Sequence, residues 1–139
     1  MSLTFFLSRK FLAAFFWAGF GLWMTILWTL SAGPPVVGEG PKGLPVDKVL
    51  HFLYFFGGGV CLFLACLHTF AWRGWGLVFA VVAAMALIGA ADECHQTFTP
   101  GRSGGDPGDW AADCAGGLVA AFLAGAIYGR FRKSEEPGT

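Results

Sequence analysis

Charged residues are scarce in this chain of 139 residues, at 13% of the sequence, which is about half the usual share for a soluble domain. Hydrophobic residues make up 55% and aromatic residues 17%, with 15 Phe and 6 Trp. A chain long enough for only one domain cannot bury that many aromatic side chains in a soluble core. The composition therefore excludes an ordinary soluble protein and indicates a membrane protein.

The chain also lacks an excess of charge of either sign, and it lacks any cysteine motif. Nine Lys and Arg residues balance nine Asp and Glu residues, so charge gives no argument for a nucleic-acid partner or for electrostatic recruitment to a membrane. The four cysteines include no CxxC pair and no regular spacing, which indicates neither a disulfide framework nor a zinc site. We expect membrane lipids as partners, no nucleic acid and no cofactor.

Long stretches almost free of charge predict four transmembrane helices. Residues 11–32 supply 22 apolar or small residues, and a helix needs about 20 to cross the hydrocarbon core of a bilayer. The aromatic side chains of this first span are expected to face lipid. The other predicted spans cover residues 47–72, 75–98 and 107–129.

Proline and glycine separate these spans. Residues 33–46 contain four prolines and four glycines, which predicts a loop. The short turn at Arg73-Gly74 makes the second and third spans antiparallel neighbours. Asp106 and Pro107 are typical of the N-cap and the first residue of a helix, so the last span should begin there.

The distribution of basic residues predicts the orientation. If both termini are cytoplasmic, the inner surface carries six basic residues, Arg9, Lys10, Arg73, Arg130, Arg132 and Lys133, and the outer surface carries three, Lys42, Lys48 and Arg102. An excess of Lys and Arg on the cytoplasmic side favours this arrangement. Residues 1–10 and 131–139 are therefore expected to be a cytoplasmic N-terminus and a cytoplasmic tail of a multi-pass protein.

Six of the nine acidic residues fall where the predicted spans meet one membrane surface, which the charge bias makes the outer one. They are Asp47, Asp92, Glu93, Asp106, Asp109 and Asp113. An ionisable group inside a span is costly and is by default a candidate for function. The expected fold is an all-α integral membrane protein, a compact bundle of four transmembrane helices over residues 11–130 with a polar cluster at its outer mouth.

The spacing of these acids indicates that they point into the bundle. Asp109 and Asp113 begin a series at intervals of four that continues through Gly117, Ala121 and Gly125. Small residues at this spacing let membrane helices approach closely. Helix capping remains an alternative for Asp47 and Asp106, and a favourable interaction with the helix dipole remains one for Asp109.

The cluster carries an excess of negative charge, with six acids against Lys48 and Arg102. Closely spaced carboxylates do not all ionise without a compensating cation. Some acids are therefore protonated, or His51 and His95 are charged, or a metal or cationic ligand lies among them. The candidate ligand-binding residues are Asp47, Lys48, His51, Asp92, Glu93, Gln96, Arg102, Asp109 and Asp113.

An ordered set of motifs over residues 47–129 resembles the VanZ-like family of bacterial integral membrane proteins. The motifs are Asp47-Lys48-x-x-His51, Glu93-x-x-Gln96, Pro100-Gly101-Arg102-Ser103 and Asp109-x-x-x-Asp113-x-x-Gly116. The first span and the tail lie outside the resemblance, and Asp113 stands where an Asn is common. The resemblance implies a protein of the bacterial inner membrane and a link to resistance against glycopeptide antibiotics of the teicoplanin type. It implies no settled biochemical activity.

Two classes of function fit these residues. The first is a non-enzymatic envelope protein that binds a lipid headgroup, a lipid-linked cell-wall precursor or a glycopeptide-type amphiphile at the outer polar site. The alternative is a small intramembrane hydrolase or transferase acting on a lipid-linked phosphate substrate. Its catalytic candidates are His51 as a general base oriented by Asp47, and Glu93. Because Ser103 and Cys94 have no nucleophile signature around them, we favour the binding class.

Three further expectations concern the chemistry of the cluster. Arg102 should fold back over the mouth to meet Glu93 or an Asp of the last span, because its planar fork suits a carboxylate. Because the family commonly has Asn at position 113, the cluster should hold no metal, with the acids balanced by basic side chains. For the same reason, Asp113→Asn should be tolerated.

Overall fold

The structure, a computed structural model, describes the backbone of residues 3–34, 45–70 and 72–135 and the side chains of residues 8–34, 45–70 and 72–129. These residues form four helices, α1 (Leu3–Ser31), α2 (Val46–Thr69), α3 (Gly74–Thr97) and α4 (Pro107–Glu135). Each helix is long and apolar enough to cross a membrane. The predicted all-α fold with four membrane-spanning helices is confirmed.

The helix bounds differ from the predicted spans mainly near the chain ends. α1 begins at Leu3 and α4 ends at Glu135. Both helices therefore extend beyond the predicted spans, into the segments predicted to be the N-terminus and the tail. Lys and Arg are good helix formers, and a helix can therefore continue beyond its apolar part. Most of the loop expected over residues 33–46 lies outside the described residues.

α2 is the central helix of the bundle. It packs against all three other helices, while α4 lies against α2 and α3, and α1 lies mainly against α2 with a smaller contact to α3. The core between them is formed by large side chains that include Phe55, Leu62, Phe63, Leu77, Val81 and Met85. The ends of α1 and α3 and the beginnings of α2 and α4 consequently meet at one end of the bundle.

Small residues bring α2 and α4 close together, as the spacing on the last span predicts. A Cβ atom added to Gly59 would lie 2.8 Å from the Cβ of Ala120 and 3.3 Å from the Cα of Gly117. Such a distance leaves no room for a side chain at position 59. The contact fixes the position of α4 along the axis of α2. It therefore also determines which residues of the two helices face each other near their ends.

Trp23 in α1 departs from the expectation that the aromatic residues of this helix face lipid. Phe11 and Phe15 are exposed, but Trp23 is buried. Its ring stacks on Tyr54, its indole N–H donates a hydrogen bond of 2.9 Å to the carbonyl of Tyr54, and the Tyr54 hydroxyl donates to the carbonyl of Trp23 over 2.8 Å. Trp23 therefore attaches α1 to α2, because a buried indole N–H needs an acceptor.

Two arginines bind the C-terminal carbonyls of α2 at the opposite end of the bundle. Arg9 donates from Nε to the carbonyl of His68 over 3.0 Å, and Arg73 donates to the carbonyl of Leu67 over 3.1 Å. Both also donate to the carbonyl of Phe70. Cations favour the C-terminus of a helix because its last carbonyls have no partner within the helix.

Candidate functional site

The nine candidate ligand-binding residues lie together at the end of the bundle where α2 and α4 begin and α1 and α3 end. We call this end the polar end. The helices of the bundle alternate in direction, so residues far apart in the sequence meet here. The structure joins seven of them through three sets of contacts, centred on Lys48, His51 and Asp92, and Glu93 makes a further contact with the start of α4.

Lys48 binds two carboxylates at the start of α4. Its Nζ lies 2.9 Å from Oδ2 of Asp106 and 2.7 Å from Oδ1 of Asp109. Asp106 also accepts a hydrogen bond of 2.7 Å from the backbone N–H of Gly108, so its predicted role as the N-cap of α4 is confirmed. The hydrogen bond from Lys48 lowers the pKa of Asp106 below its ordinary value of 3.8.

His51 contacts Asp113 rather than Asp47. Nδ1 of His51 lies 2.9 Å from Oδ1 of Asp113, whose side chain is fully buried. The interpretation from the sequence that Asp47 orients His51 is therefore wrong, because the carboxylate that pairs with His51 is that of Asp113. Asp47 is exposed at the edge of the site, where one of its oxygens lies within 4.8 Å of ligand atoms of His51 and Asp109.

Asp92 is the centre of the third set of contacts, which links α1, α3 and the loop before α4. The hydroxyl of Ser31 donates to Oδ1 of Asp92, and Nε2 of Gln96 donates to Oδ2 over 2.8 Å. Arg102 in turn donates from Nε to Oε1 of Gln96 over 3.2 Å. The expectation that Arg102 meets Glu93 or an Asp of α4 is wrong, because the amide of Gln96 lies between the guanidinium and the nearest acid of this set.

Glu93 connects α3 to the start of α4 through one of its two carboxylate oxygens. Oε2 accepts a hydrogen bond of 2.8 Å from the backbone N–H of Asp106. Its other oxygen, Oε1, is buried and has no hydrogen-bond partner among the described residues. Oδ2 of Asp113 is likewise buried and has no hydrogen-bond partner among the described residues.

The loop between α3 and α4 places Asp106 beside Glu93. Gly104 packs directly against the backbone of Gln96 and Thr97, and Gly105 has a φ of +79°. Only glycine adopts that backbone conformation without strain. The glycines thus let the loop turn sharply onto the end of α3.

A cavity of about 410 Å³ opens at the polar end between α1, α2 and the end of α3. Leucines of α1 and α2, among them Leu27, Leu30, Leu50 and Leu53, form its apolar wall. Its polar side chains are Ser31, Asp47, His51, Asp92, Gln96 and Arg102. A cavity with both kinds of lining suits a molecule that has an apolar part and a polar head.

Sequence reasoning missed two contributions from α1 and α3. Ser31 was not proposed as a site residue, although it donates to Asp92 and is buried. Trp28 stacks on the imidazole of His95 with ring centroids 3.9 Å apart. Ser31 is one of three residues with a hydroxyl in the second half of the first span, beside Thr25 and Thr29, and the sequence does not show which of them faces the polar end.

The fold and site together define an integral membrane protein of four helices with a buried polar network at one end. A sequence model of the VanZ/LLP1 family matches residues 2–128, and the chain belongs to this family. The match extends the motif resemblance of residues 47–129 to include α1. No similar curated protein and no similar solved structure was found.

Proposed function

We propose that this chain is a bacterial inner-membrane protein of the cell envelope that binds an amphiphile in the cavity at the polar end. The observation that carries the proposal is the lining of the cavity, where leucines of α1 and α2 adjoin His51, Asp92, Gln96 and Arg102. Leucines can hold an acyl chain, and the polar side chains offer both hydrogen-bond donors and acceptors to a headgroup.

The lining of the cavity favours a ligand with an apolar chain joined to a polar head. Carboxylate groups of Asp47 and Asp92 line it together with the guanidinium of Arg102, so charges of both signs are available. A membrane lipid bound through its headgroup, a lipid-linked cell-wall precursor and a glycopeptide of the teicoplanin type all combine an apolar chain with a polar head. Membership of the VanZ/LLP1 family supports the glycopeptide, because the family resemblance implies a link to resistance against such antibiotics.

The proposed orientation places the polar end at the outer surface, with both termini cytoplasmic. Arg9 and Arg73 lie at the opposite end of the bundle, in accord with the excess of basic residues expected on the cytoplasmic side. A cavity at the outer surface would be accessible to extracellular antibiotics and to precursors in the outer leaflet.

The enzyme alternative has less support. Within the described part of the chain, no Ser, Thr or Cys side chain forms a hydrogen bond with His51, and its ring is paired with Asp113. Ser103 and Cys94 are exposed. A covalent mechanism needs a nucleophile within hydrogen-bond reach of its base, so we retain binding as the proposed function.

Binding can be tested with the full-length protein in lipid nanodiscs. The probes are a fluorescent teicoplanin-type glycopeptide and the same glycopeptide core without its acyl chain. We expect saturable binding of the acylated probe and much weaker binding of the deacylated core, because only the former fills the leucine-lined wall. Equal binding of both probes, or none, would contradict the proposal.

A matched pair of variants locates the binding. Leu50→Trp places a large ring in the cavity wall and should weaken binding of the acylated probe by about tenfold or more, since the acyl chain loses its space. Leu87→Trp is the control, because Leu87 is exposed on α3 and does not line the cavity. The same loss in both variants would place the binding elsewhere.

A further inference from the structure

Three side chains from three different helices meet inside the polar end. His51 of α2, Glu93 of α3 and Asp113 of α4 each offer one ligand atom, and these atoms lie within 4.8 Å of one another. Glu93 is 5% exposed and Asp113 is 0% exposed. A nitrogen and two carboxylate oxygens therefore lie close together, with both acids buried and His51 partly buried.

Both carboxylates have one oxygen held by the protein and one oxygen free. Oε2 of Glu93 accepts the backbone N–H of Asp106, and Oδ1 of Asp113 lies 2.9 Å from His51. Oε1 of Glu93 and Oδ2 of Asp113 are buried and lack a hydrogen-bond partner among residues that the structure describes. Buried polar atoms without a partner are rare. Carboxylates that bind a metal through one oxygen commonly have the other oxygen held by a hydrogen bond, as Glu93 does. In Asp113 the paired oxygen faces Nδ1 of His51, so an ion bound to both residues would take the place of the proton between these two atoms.

The neighbouring cations are bound to other residues. Lys48 contacts Asp106 and Asp109, and Arg102 donates to Gln96. In the described part of the chain, His51 is therefore the basic side chain that pairs with Asp113, and one of its ligand atoms lies within 4.8 Å of one of Glu93. Two buried carboxylates need more compensation than one imidazole supplies.

We propose that His51, Glu93 and Asp113 bind one divalent transition-metal ion, of the kind of Zn²⁺ or Mn²⁺. The ion takes the place of the proton between His51 and Asp113 and balances both carboxylate charges at once, whereas a proton balances only one. An imidazole together with carboxylates suits these metals better than Mg²⁺ or Ca²⁺, which prefer ligand sets made of oxygen. Three protein ligands leave a coordination position for water or for another ligand.

A second group of possible ligands, Asp47, His51 and Asp109, shares the imidazole with the first. It is the weaker candidate, because Oδ1 of Asp109 is already 2.7 Å from Lys48 and Asp47 is exposed. One imidazole nitrogen cannot bind an ion in both groups at once, so the proposal places the ion at the buried group of His51, Glu93 and Asp113. It opposes the expectation from the sequence that the cluster holds no metal, and it does not depend on the binding of an amphiphile.

The test uses the full-length protein, purified in detergent without chelator through a tag that contains no histidine. Elemental analysis of the wild type should find a stoichiometric amount of zinc or manganese. Removal of the metal with a chelator should lower the melting temperature, because an ion that binds only the folded state stabilises it. Addition of Zn²⁺ or Mn²⁺ should restore it.

Two variants and a control test the assignment of the ligands. Asp113→Asn and Glu93→Gln should lose the bound metal and the response to chelator, and Asp47→Asn should retain both. If a variant does not fold, the metal content and chelator response of the wild type still decide the question.

Several outcomes would overturn the proposal. They are a wild type without stoichiometric metal, a melting temperature that does not respond to chelator, and recovery with Mg²⁺ or Ca²⁺ alone. An Asp113→Asn variant that melts higher than an untreated, metal-free wild type would show that the acids repel or share protons instead. Loss of metal binding in Asp47→Asn but not in Glu93→Gln would place the ion at the other group.

Discussion

At the scale of single residues, several acids of the polar end are paired with polar or basic side chains. Asp92 accepts hydrogen bonds from Ser31 and Gln96, Asp109 pairs with Lys48, and Asp113 pairs with His51. A buried charge without a partner is strongly destabilising. These partners help the bundle to tolerate several carboxylates at one end.

Ser31→Ala tests the contact between α1 and α3. The substitution removes the hydroxyl that donates to the buried Asp92, and we expect it to destabilise the protein by about 1 to 3 kcal/mol. Thermal unfolding in detergent measures the change. Ser103→Ala is the control, since Ser103 is exposed in the loop before α4 and its replacement should have little effect. Equal melting temperatures for both variants would contradict a role of Ser31 in the network.

Lys48→Met tests the ion pairs at the start of α4 through their pH dependence. Because the pKa of Asp106 is lowered in the folded state, its pairing with Lys48 stabilises the fold above the ordinary Asp value and is lost as the pH falls through the lowered pKa. At neutral pH the variant should therefore melt below the wild type. The difference in melting temperature should narrow as the pH falls below 3.8, and a constant difference would argue against this pairing.

At the scale of helices, close packing of α2 on α4 sets the depth at which the site residues face each other. Gly59 lies against Ala120 and Gly117, several residues from the contact between His51 and Asp113. A helix shifted along its axis by one residue moves by about 1.5 Å, which is enough to break a hydrogen bond of 2.9 Å. The small residues thus support the geometry of the polar end without contacting it.

Gly59→Ala and Gly57→Ala form a matched pair on α2. The new Cβ at position 59 would lie 2.8 Å from that of Ala120, while nothing lies within 4 Å of a Cβ at position 57. We expect Gly59→Ala to destabilise the protein by about 1 to 3 kcal/mol through overpacking. Gly57→Ala should be neutral or stabilise it by up to about 1 kcal/mol, because Ala favours the helix. Thermal unfolding of the two variants checks this, and similar melting temperatures would contradict the close contact.

The sequence predicted the helices and the meeting place of the acids, because both follow from local properties. Hydropathy defines the spans, and alternating helix direction brings residues such as Asp47, Asp92 and Asp113 to one end. The pairing of side chains could not be predicted, since it depends on the rotation and depth of each helix. His51 therefore meets Asp113 and not Asp47, and Arg102 meets Gln96 and not an acid.

Ser31 is a second example of a contact that could not be predicted from the sequence. Nothing in an apolar span distinguishes a serine that faces lipid from one that faces a buried carboxylate. The distinction comes from the packing of α1 on α2, which Trp23 and Tyr54 fix through two reciprocal hydrogen bonds. The family match over residues 2–128 includes this helix, in accord with its part in the network.

At the scale of the whole molecule, the two ends of the bundle differ in charge. The polar end holds the acids with Lys48 and Arg102, while Arg9 and Arg73 bind the C-terminal carbonyls of α2 at the other end. Basic residues close to the ends of a span bias its orientation in the membrane. This difference in charge predicts that the end with Arg9 and Arg73 faces the cytoplasm and that the polar end faces outward.

Cysteine labelling in intact cells tests this orientation. The native residues Cys61, Cys66, Cys94 and Cys114 are first replaced, and a single cysteine is then placed at an exposed position near one end, as Ser103→Cys at the polar end or Trp72→Cys at the opposite end. A maleimide that cannot cross the membrane should label Ser103→Cys in intact cells and Trp72→Cys only after permeabilisation. Folding of both variants is checked by their melting temperatures, so that a missing label reports the side of the membrane. The reverse pattern would place the polar end in the cytoplasm, where the cavity could not receive an extracellular antibiotic, while the internal contacts of the site would remain as described.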